Sequence, residues 1–352
     1  MKTIPIVHCF DYKYIIPASV CFHSLLRHGN RDCFYQLLVI GSGLTPEHCE
    51  ALQAVVRPFP NASLEIIEAP KLDLPDGGEV LSANLSKDVF YKMLIPEIFP
   101  QYDRIIVSDV DIVYTGDTSG IMDFLPEDDD AYFAGIPDPG YAVWRNEGIL
   151  RTLGTPKSFH RYDRFYTKEM KEKLWLNTGY MVLNAKKMRA DKISQKCMAY
   201  ANANFKRLVL LDQDVLNIIC SPHLRAVPPQ YMAFALYRKF YNELTAEQRS
   251  AAPEWDAMFA KPLLLHYVSG LKPWKYPASQ LAEVWFDNLI DCGLFDQWRI
   301  SAEKLAHPYE HIKKRRQIWK GSIPFTLHPL RKFVLTISKD TYETAKYEGG
   351  VQ

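Results

Sequence analysis

The chain has 352 residues, 47% hydrophobic and 24% charged, and a net charge of +1. That supplies apolar residues for one large core, or a core with an appendage, and it excludes a disordered chain and a strongly basic nucleic-acid binder. The seven cysteines form no CxxC pair and read as reduced thiols of a cytosolic protein rather than a disulfide framework.

The N-terminus MKTIPIVHCFDYKY does not read as a signal peptide, because His8 and Asp11 break its apolar run. TIPIVHCF reads as a strand, YIIPASVCFHSLLRH as an amphipathic helix and YQLLVIG as a second strand. TPEHCEALQAVVR follows as a helix with Thr45 as N-cap and Pro46 at its first position, and SLEIIEA as a third strand. KDVFYKMLIPEIF reads as a helix interrupted by Pro96, and RIIVSDVDIVY as a continuous run of strand formers. Alternating β and α segments predict an α/β fold with a mainly parallel sheet covered by helices. Ligands of such sheets bind at the carboxyl ends of the strands, where Asp11 and the pair Asp109 and Asp111 fall.

Beyond Asp111 the rhythm loosens. AYFAGIPD and WLNTGYMVLN read as strands around an irregular segment, 139–173. AKKMRADKISQKCMAYANANF reads as one strong helix, LDQDVLNIIC as a short one and PLLLHYV as a last strand. A boundary near Pro277 divides residues 1–276 from an extension, 277–352, expected to be helical and basic. From Lys304 onward there are ten Lys or Arg against four Asp or Glu. HIKKRRQIWKG in that tail suits either a solvated helix face or an anionic partner, lipid or nucleic acid, of which the lipid surface is the one expected here. No window approaches a spanning length of apolar residues, so the protein is expected in the cytoplasm, peripheral on the inner face of a membrane through its tail.

Two carboxylates at alternate positions of a strand share one face and repel, and a hard cation between them resolves the conflict. A solvent-facing strand end is the alternative. DxD by itself decides nothing, since Asp128 and Asp130, and Asp212 and Asp214, repeat it.

Four ordered blocks add specificity: IVHCFDYKY, VSDVDIVYTGD, LNTGYMVLNAKKMR with LLDQDVLN, and HYVSGLKPW. Together, over residues 4 to 274, they resemble glycosyltransferase family 8, the retaining enzymes that include bacterial lipopolysaccharide galactosyl- and glucosyltransferases. The resemblance implies a GT-A-like fold with a single Rossmann-type sheet. It implies that Asp109, Asp111 and His266 hold Mn²⁺ (or Mg²⁺) on the diphosphate of a UDP-hexose, and that Lys272 binds that diphosphate. Alone, His266 would read as a hydrogen-bonded strand end and Lys272 as a surface cation. Asp11 would meet the uracil or ribose, with further donor contacts at Lys13, Lys92, Val110, Asp138 and Gly270. Asn177, Asp212 and Gln213 would line the hexose, the last two in the catalytic role, and a glycan or glycolipid would accept the sugar. Gln213 carries an amide, a poor nucleophile, so a front-face reaction fits better than a covalent intermediate. The sequence departs from the family at Lys92, where arginine is usual, at Ser108, where leucine is commoner, and at Tyr12 and Lys13, which replace short polar residues.

Two alternatives keep the same sheet. A sugar-nucleotide nucleotidyltransferase needs a glycine-rich phosphate loop after the first strand, and IVHCFDYKY has no glycine. A non-catalytic carbohydrate-binding protein would have lost the metal ligands that this sequence keeps.

Overall fold

The computed structural model describes residues 1–72, 74, 87–139, 167, 172–250, 253–268 and 270–304. Its main sheet contains β1 (Lys2–Asp11), β2 (Cys33–Ser42), β3 (Ala62–Glu68), β4 (Arg104–Ser108), β6 (Phe133–Pro137), β7 (Leu176–Asn184) and β8 (Leu224–Ala226), in the order β3-β2-β1-β4-β7-β6-β8. Every neighbouring pair is parallel except those of β7, which runs against both β4 and β6. Three strands, β5 (Ile112–Tyr114), β9 (Ala233–Phe234) and β10 (Leu264–His266), form a small second sheet in the order β5-β10-β9.

The main sheet is buried on both faces, which is why its strands read as near-continuous apolar runs. Along β4, Ile106 joins the core on one side while Ile105 and Val107 join the core on the other. Along β7, Tyr180 and Val182 face the first side, Met181 and Leu183 the second. The expected mainly parallel α/β architecture is therefore present. The reversal of β7 was not legible, because a strand buried on both faces has the same composition in either direction.

Local chemistry explains the elements that match expectation. Thr45 caps the helix Pro46–Val56 by accepting from the His48 amide, with Pro46 where no amide hydrogen is needed. Three expectations change. KDVFYKMLIPEIF is a 3₁₀ segment, Lys87–Met93, followed by the single turn Ile95–Ile98; Pro96 sits in that first turn and starts it rather than interrupting it. RIIVSDVDIVY is two strands in two sheets, and the two aspartates lie at the crossing between them. The long helix after β7 is two, Ala185–Ala190 and Ile193–Asn204, separated where Lys192 takes a left-handed conformation.

The core does not stop at residue 276. Trp285 and Leu289 of the helix Ala282–Asp291 enter the same buried cluster as β1, Trp274 packs on Trp285 at 5.6 Å, and Tyr267 donates to the Leu281 carbonyl. The basic tail, including Lys313, Lys314, Arg315, Arg316 and Trp319, lies outside the described residues. No described helix is long and apolar enough to cross a membrane.

One buried group carries a testable consequence for stability. His8 is fully buried on β1, its Nδ1 bonded to the Ser108 carbonyl at 2.8 Å and its Nε2 without a hydrogen-bond partner among the described residues. Burial pushes its pKa down to about 3, against the opposing effect of that carbonyl bond. The folded value lies below the unfolded one near 6.5, so the stabilisation is full above pH 6.5 and is lost as pH falls, at about 1.4 kcal/mol per unit. Between pH 7 and pH 5 this group should cost about 2 kcal/mol. Urea unfolding of the intact chain and of His8→Gln at both values tests it: equal losses in the two proteins would assign the acid sensitivity elsewhere.

Candidate active site

The carboxyl ends of β1, β4 and β6 and the amino end of β7 share one edge of the sheet. Reversal of β7 brings its first residues, LNTG, to that edge. The Asp109 amide donates to the Gly179 carbonyl at 2.7 Å, and the Asp138 amide donates to the Trp175 carbonyl at 3.0 Å. The small sheet delivers the third component. His266 of β10 pairs with Ile112 of β5, and the following amide, Tyr267, donates to the Asp111 carbonyl at 2.9 Å. Residues 156 positions apart in the chain, Asp111 and Tyr267, thus become neighbours.

Ligand atoms of Asp109, Asp111 and His266 all lie within 4.8 Å of one another. His266 Nε2 is 3.1 Å from Asp111 Oδ1 and 3.7 Å from Asp109 Oδ2. Asp111 Oδ1 is buried without a hydrogen bond among the described residues. Two carboxylates and an imidazole suit a divalent ion such as Mn²⁺ or Mg²⁺, and an unbonded buried carboxylate oxygen facing them is an acceptor awaiting a cation. The residues present therefore fit the group that the sequence implied.

Two lysines flank this cluster. Lys272 donates to Asp111 Oδ2 and, at 2.6 Å, to the Tyr267 carbonyl. Lys92 is buried, 2.6 Å from Asp109 Oδ1 and 3.1 Å from Asp212 Oδ2. The electrostatic result is asymmetric. Burial pushes the Asp109 carboxyl up, Lys92 opposes it and the neighbouring Asp111 charge adds to it. Burial also acts upward on Asp111, but Lys272 and His266 outweigh it and hold that carboxyl well below the usual range. Burial would lower the Lys92 value, but Asp109 and Asp212 outweigh it and hold the side chain as a cation.

Beside the carboxylates lies a closed amide network. Asn177 Nδ2 donates to Gln213 Oε1 at 3.0 Å and to Asp138 Oδ2 at 3.3 Å, while Gln213 Nε2 donates to the same Asp138 oxygen at 3.0 Å. Asp212 opens the helix Asp212–Cys220, but it does not cap it: Asp214 accepts from the Val209 and Leu210 amides instead. Asp212 Oδ2 accepts from Thr178 Oγ1 at 2.8 Å and meets Lys92, and among the described residues every contact of its carboxylate falls on Oδ2.

The remaining positions divide. Asp11 accepts from the Lys13 amide at 2.9 Å and caps the turn Tyr12–Tyr14; the Lys13 side chain is exposed, 3.8 Å from Asp11 Oδ2. Val110 turns its side chain into the core, so any donor contact there would be through backbone. Gly270 is exposed on the loop before Lys272.

Four residues that sequence reasoning passed over belong to this edge. Tyr14 makes an edge contact with Trp274 at 5.9 Å, and burial, with the charges of Asp111, Asp11 and Asp109, pushes its hydroxyl up to about 12. Thr178 bonds Asp212. Gly179 lies against the His266 ring. Asn217 bonds both backbone groups of Leu176 and the Gln213 carbonyl, each at 2.8 Å, and so ties the helix to β7. Thr178 and Gly179 stand inside the LNTG block and Asn217 closes DQDVLN, so the blocks themselves were the signal.

The family model described as Glycosyl transferase family 8 matches residues 5–278. A lipopolysaccharide 1,2-glucosyltransferase of Escherichia coli is 20% identical over 313 residues, covering 88% of this chain and 83% of that protein. Among solved structures, the WbbM bifunctional glycosyltransferase superposes with a TM-score of 0.67 at 19% identity, over 85% of this chain and 51% of that one. The galactosyltransferase LgtC, solved with donor and acceptor sugar analogues, superposes with a TM-score of 0.60 at 17% identity, over 82% of this chain and 96% of that one. Both likenesses establish a shared GT-A-like fold.

Proposed function

The chain belongs to glycosyl transferase family 8, and from that membership we propose that this hexosyltransferase is a retaining, divalent-metal-dependent enzyme that moves galactose or glucose from a UDP-sugar to a glycan or glycolipid acceptor in lipopolysaccharide or related surface-polysaccharide synthesis. The observation that carries the reading is the convergence of Asp109, Asp111 and His266 within 4.8 Å, beside Lys272 and the Asp138–Asn177–Gln213 network. The basic, aromatic tail sequence supports contact with an anionic membrane surface as part of the same reading.

Asp109, Asp111 and His266 would hold Mn²⁺ or Mg²⁺, which when bound supplies Lewis acidity toward the departing diphosphate. Lys272, on the loop closed by Pro273 and Trp274, adds a fixed positive charge where negative charge develops on UDP. Asp11, with Lys13 beside it, marks the nucleoside end of the donor. Asp212 Oδ1 accepts a hexose hydroxyl, and Asn177, Asp138 and Gln213 orient the ring through amide and carboxylate contacts. Both ends of the Gln213 amide are already engaged, Oε1 by Asn177 and Nε2 by Asp138. It therefore positions the sugar rather than attacking it. The bond from the anomeric carbon to the phosphate oxygen breaks, the acceptor oxygen bonds that carbon on the same face, and the acceptor proton passes to the departing UDP.

A donor panel tests this reading. With Mn²⁺ and no acceptor, UDP-galactose or UDP-glucose should release UDP slowly, and release should stop in chelator. The product formed with an acceptor should show the small anomeric proton coupling of an α-linkage. A β-linked product would remove the retaining mechanism, and no release from any UDP-sugar would remove the proposed donor.

A further inference from the structure

Lys92 occupies the place where the resemblance implied a donor contact, and its surroundings point to another task. It lies on the 3₁₀ segment Lys87–Met93 and is buried. An ammonium group has three N–H donors. Three acceptors surround it: Asp109 Oδ1 at 2.6 Å, Asp212 Oδ2 at 3.1 Å and the Thr178 carbonyl at 3.1 Å. All three donors are engaged, so a contact with the donor substrate would have to break one of these bonds inside a site where burying an unpaired charge is costly.

The three acceptors come from three separate pieces of chain: the end of β4, the start of the helix Asp212–Cys220 and the first residues of β7. The contacts also divide each carboxylate. Lys92 takes Asp109 Oδ1 and leaves Oδ2 facing His266. Together with Thr178 it takes Asp212 Oδ2 and leaves Oδ1. We propose that Lys92 is a positioning residue that couples the metal-binding carboxylate Asp109 to the hexose-binding carboxylate Asp212, and that it does not itself touch the donor. The inference rests on the reading of the site given above. It also accounts for lysine where arginine is usual: three donors on one nitrogen reach three acceptors in different directions, whereas a guanidinium presents its donors in one plane.

The test is a double-mutant cycle on the full chain, using Lys92→Met, Asp212→Asn and the double variant. The readouts are kcat and KM for UDP release from the donor, and the Kd of Mn²⁺ with UDP. Lys92→Met should lower kcat about 100-fold while the Kd for Mn²⁺ with UDP stays within about threefold, and the double variant should be no more than about threefold worse than Asp212→Asn alone. Once Asp212 has lost its charge, Lys92 still meets Asp109 but has no second carboxylate to couple to it. Lys92→Arg, which keeps the charge, should recover at least about tenfold of the loss. A rise in KM or Kd that tracks the fall in kcat, or losses that multiply, would overturn the proposal in favour of direct donor contact. Should Lys92→Met fail to fold, Thr178→Val removes the second bond to Asp212 Oδ2 and should give the same pattern at smaller amplitude; unchanged kcat there would equally overturn the coupling. If the unaltered protein neither binds Mn²⁺ with UDP nor releases UDP from any donor, it is the reading of the site that falls, whereas a competent protein with multiplying losses removes the Lys92 role alone.

Discussion

Asp111→Ala should lower hexose transfer at least about 100-fold, the scale of losing one strong stabiliser of transition-state charge, and should abolish saturable Mn²⁺ binding in calorimetry. Asp111 is where the imidazole and the ammonium of the site converge, with His266 Nε2 3.1 Å from one oxygen and Lys272 donating to the other. Its carboxyl is held well below the usual range by those partners despite burial, so it is anionic throughout the neutral range and ready to bind an ion. Alanine also strips a nearly buried ammonium of its carboxylate, leaving Lys272 with the Tyr267 carbonyl, which should cost about 3 kcal/mol of stability. Asp111→Asn separates the two effects. It keeps the shape, loses less stability, and should bind Mn²⁺ as poorly as the alanine variant. Near-normal turnover by Asp111→Ala in chelator would remove the metal from the mechanism.

The contrast between what the sequence revealed and what it hid follows from the range of the forces involved. Thr45 and Pro46 announce a helix start because capping is settled within four residues. Asp109, Asp111, His266 and Lys272 were legible as a set only through ordered blocks, since nothing in one chain fixes which distant residues meet; that is decided by β10 pairing with β5. The break between β4 and β5 was hidden because both pieces are strand formers, and only the second sheet distinguishes them. Lys92 was hidden in a different way. Its sequence neighbours, FYKML, describe an amphipathic segment, while its contacts are with Asp109, Asp212 and Thr178, which the fold brings from three places. Polar networks of this kind leave no periodic signal.

Gly179→Ala should be nearly as damaging as loss of a metal ligand, although glycine itself contacts no ligand. In a strand interior alanine normally stabilises relative to glycine, by roughly 0.5–1 kcal/mol. Here a methyl group would fall well inside van der Waals contact distance of His266 Cε1, 2.8 Å from Nδ1 and 2.9 Å from Asn177 Oδ1. The backbone cannot withdraw easily, because the Gly179 carbonyl accepts from the Asp109 amide at 2.7 Å and its amide donates to Asn177 Oδ1 at 2.9 Å. The imidazole also packs against Phe234, with ring centres 5.7 Å apart. Overpacking of this kind costs about 1–3 kcal/mol, and the groups that must yield are His266 and Asn177, one from the metal cluster and one from the amide network. Transfer should fall about 100-fold or more and Mn²⁺ binding should weaken in parallel, on the scale of a misplaced catalytic group, while the protein stays folded and its melting temperature drops by only a few degrees. The companion substitution Phe234→Leu, which opens space beside the ring, should restore part of the Mn²⁺ affinity in the Gly179→Ala background. Full activity in Gly179→Ala would mean that His266 is not held in the position the site requires.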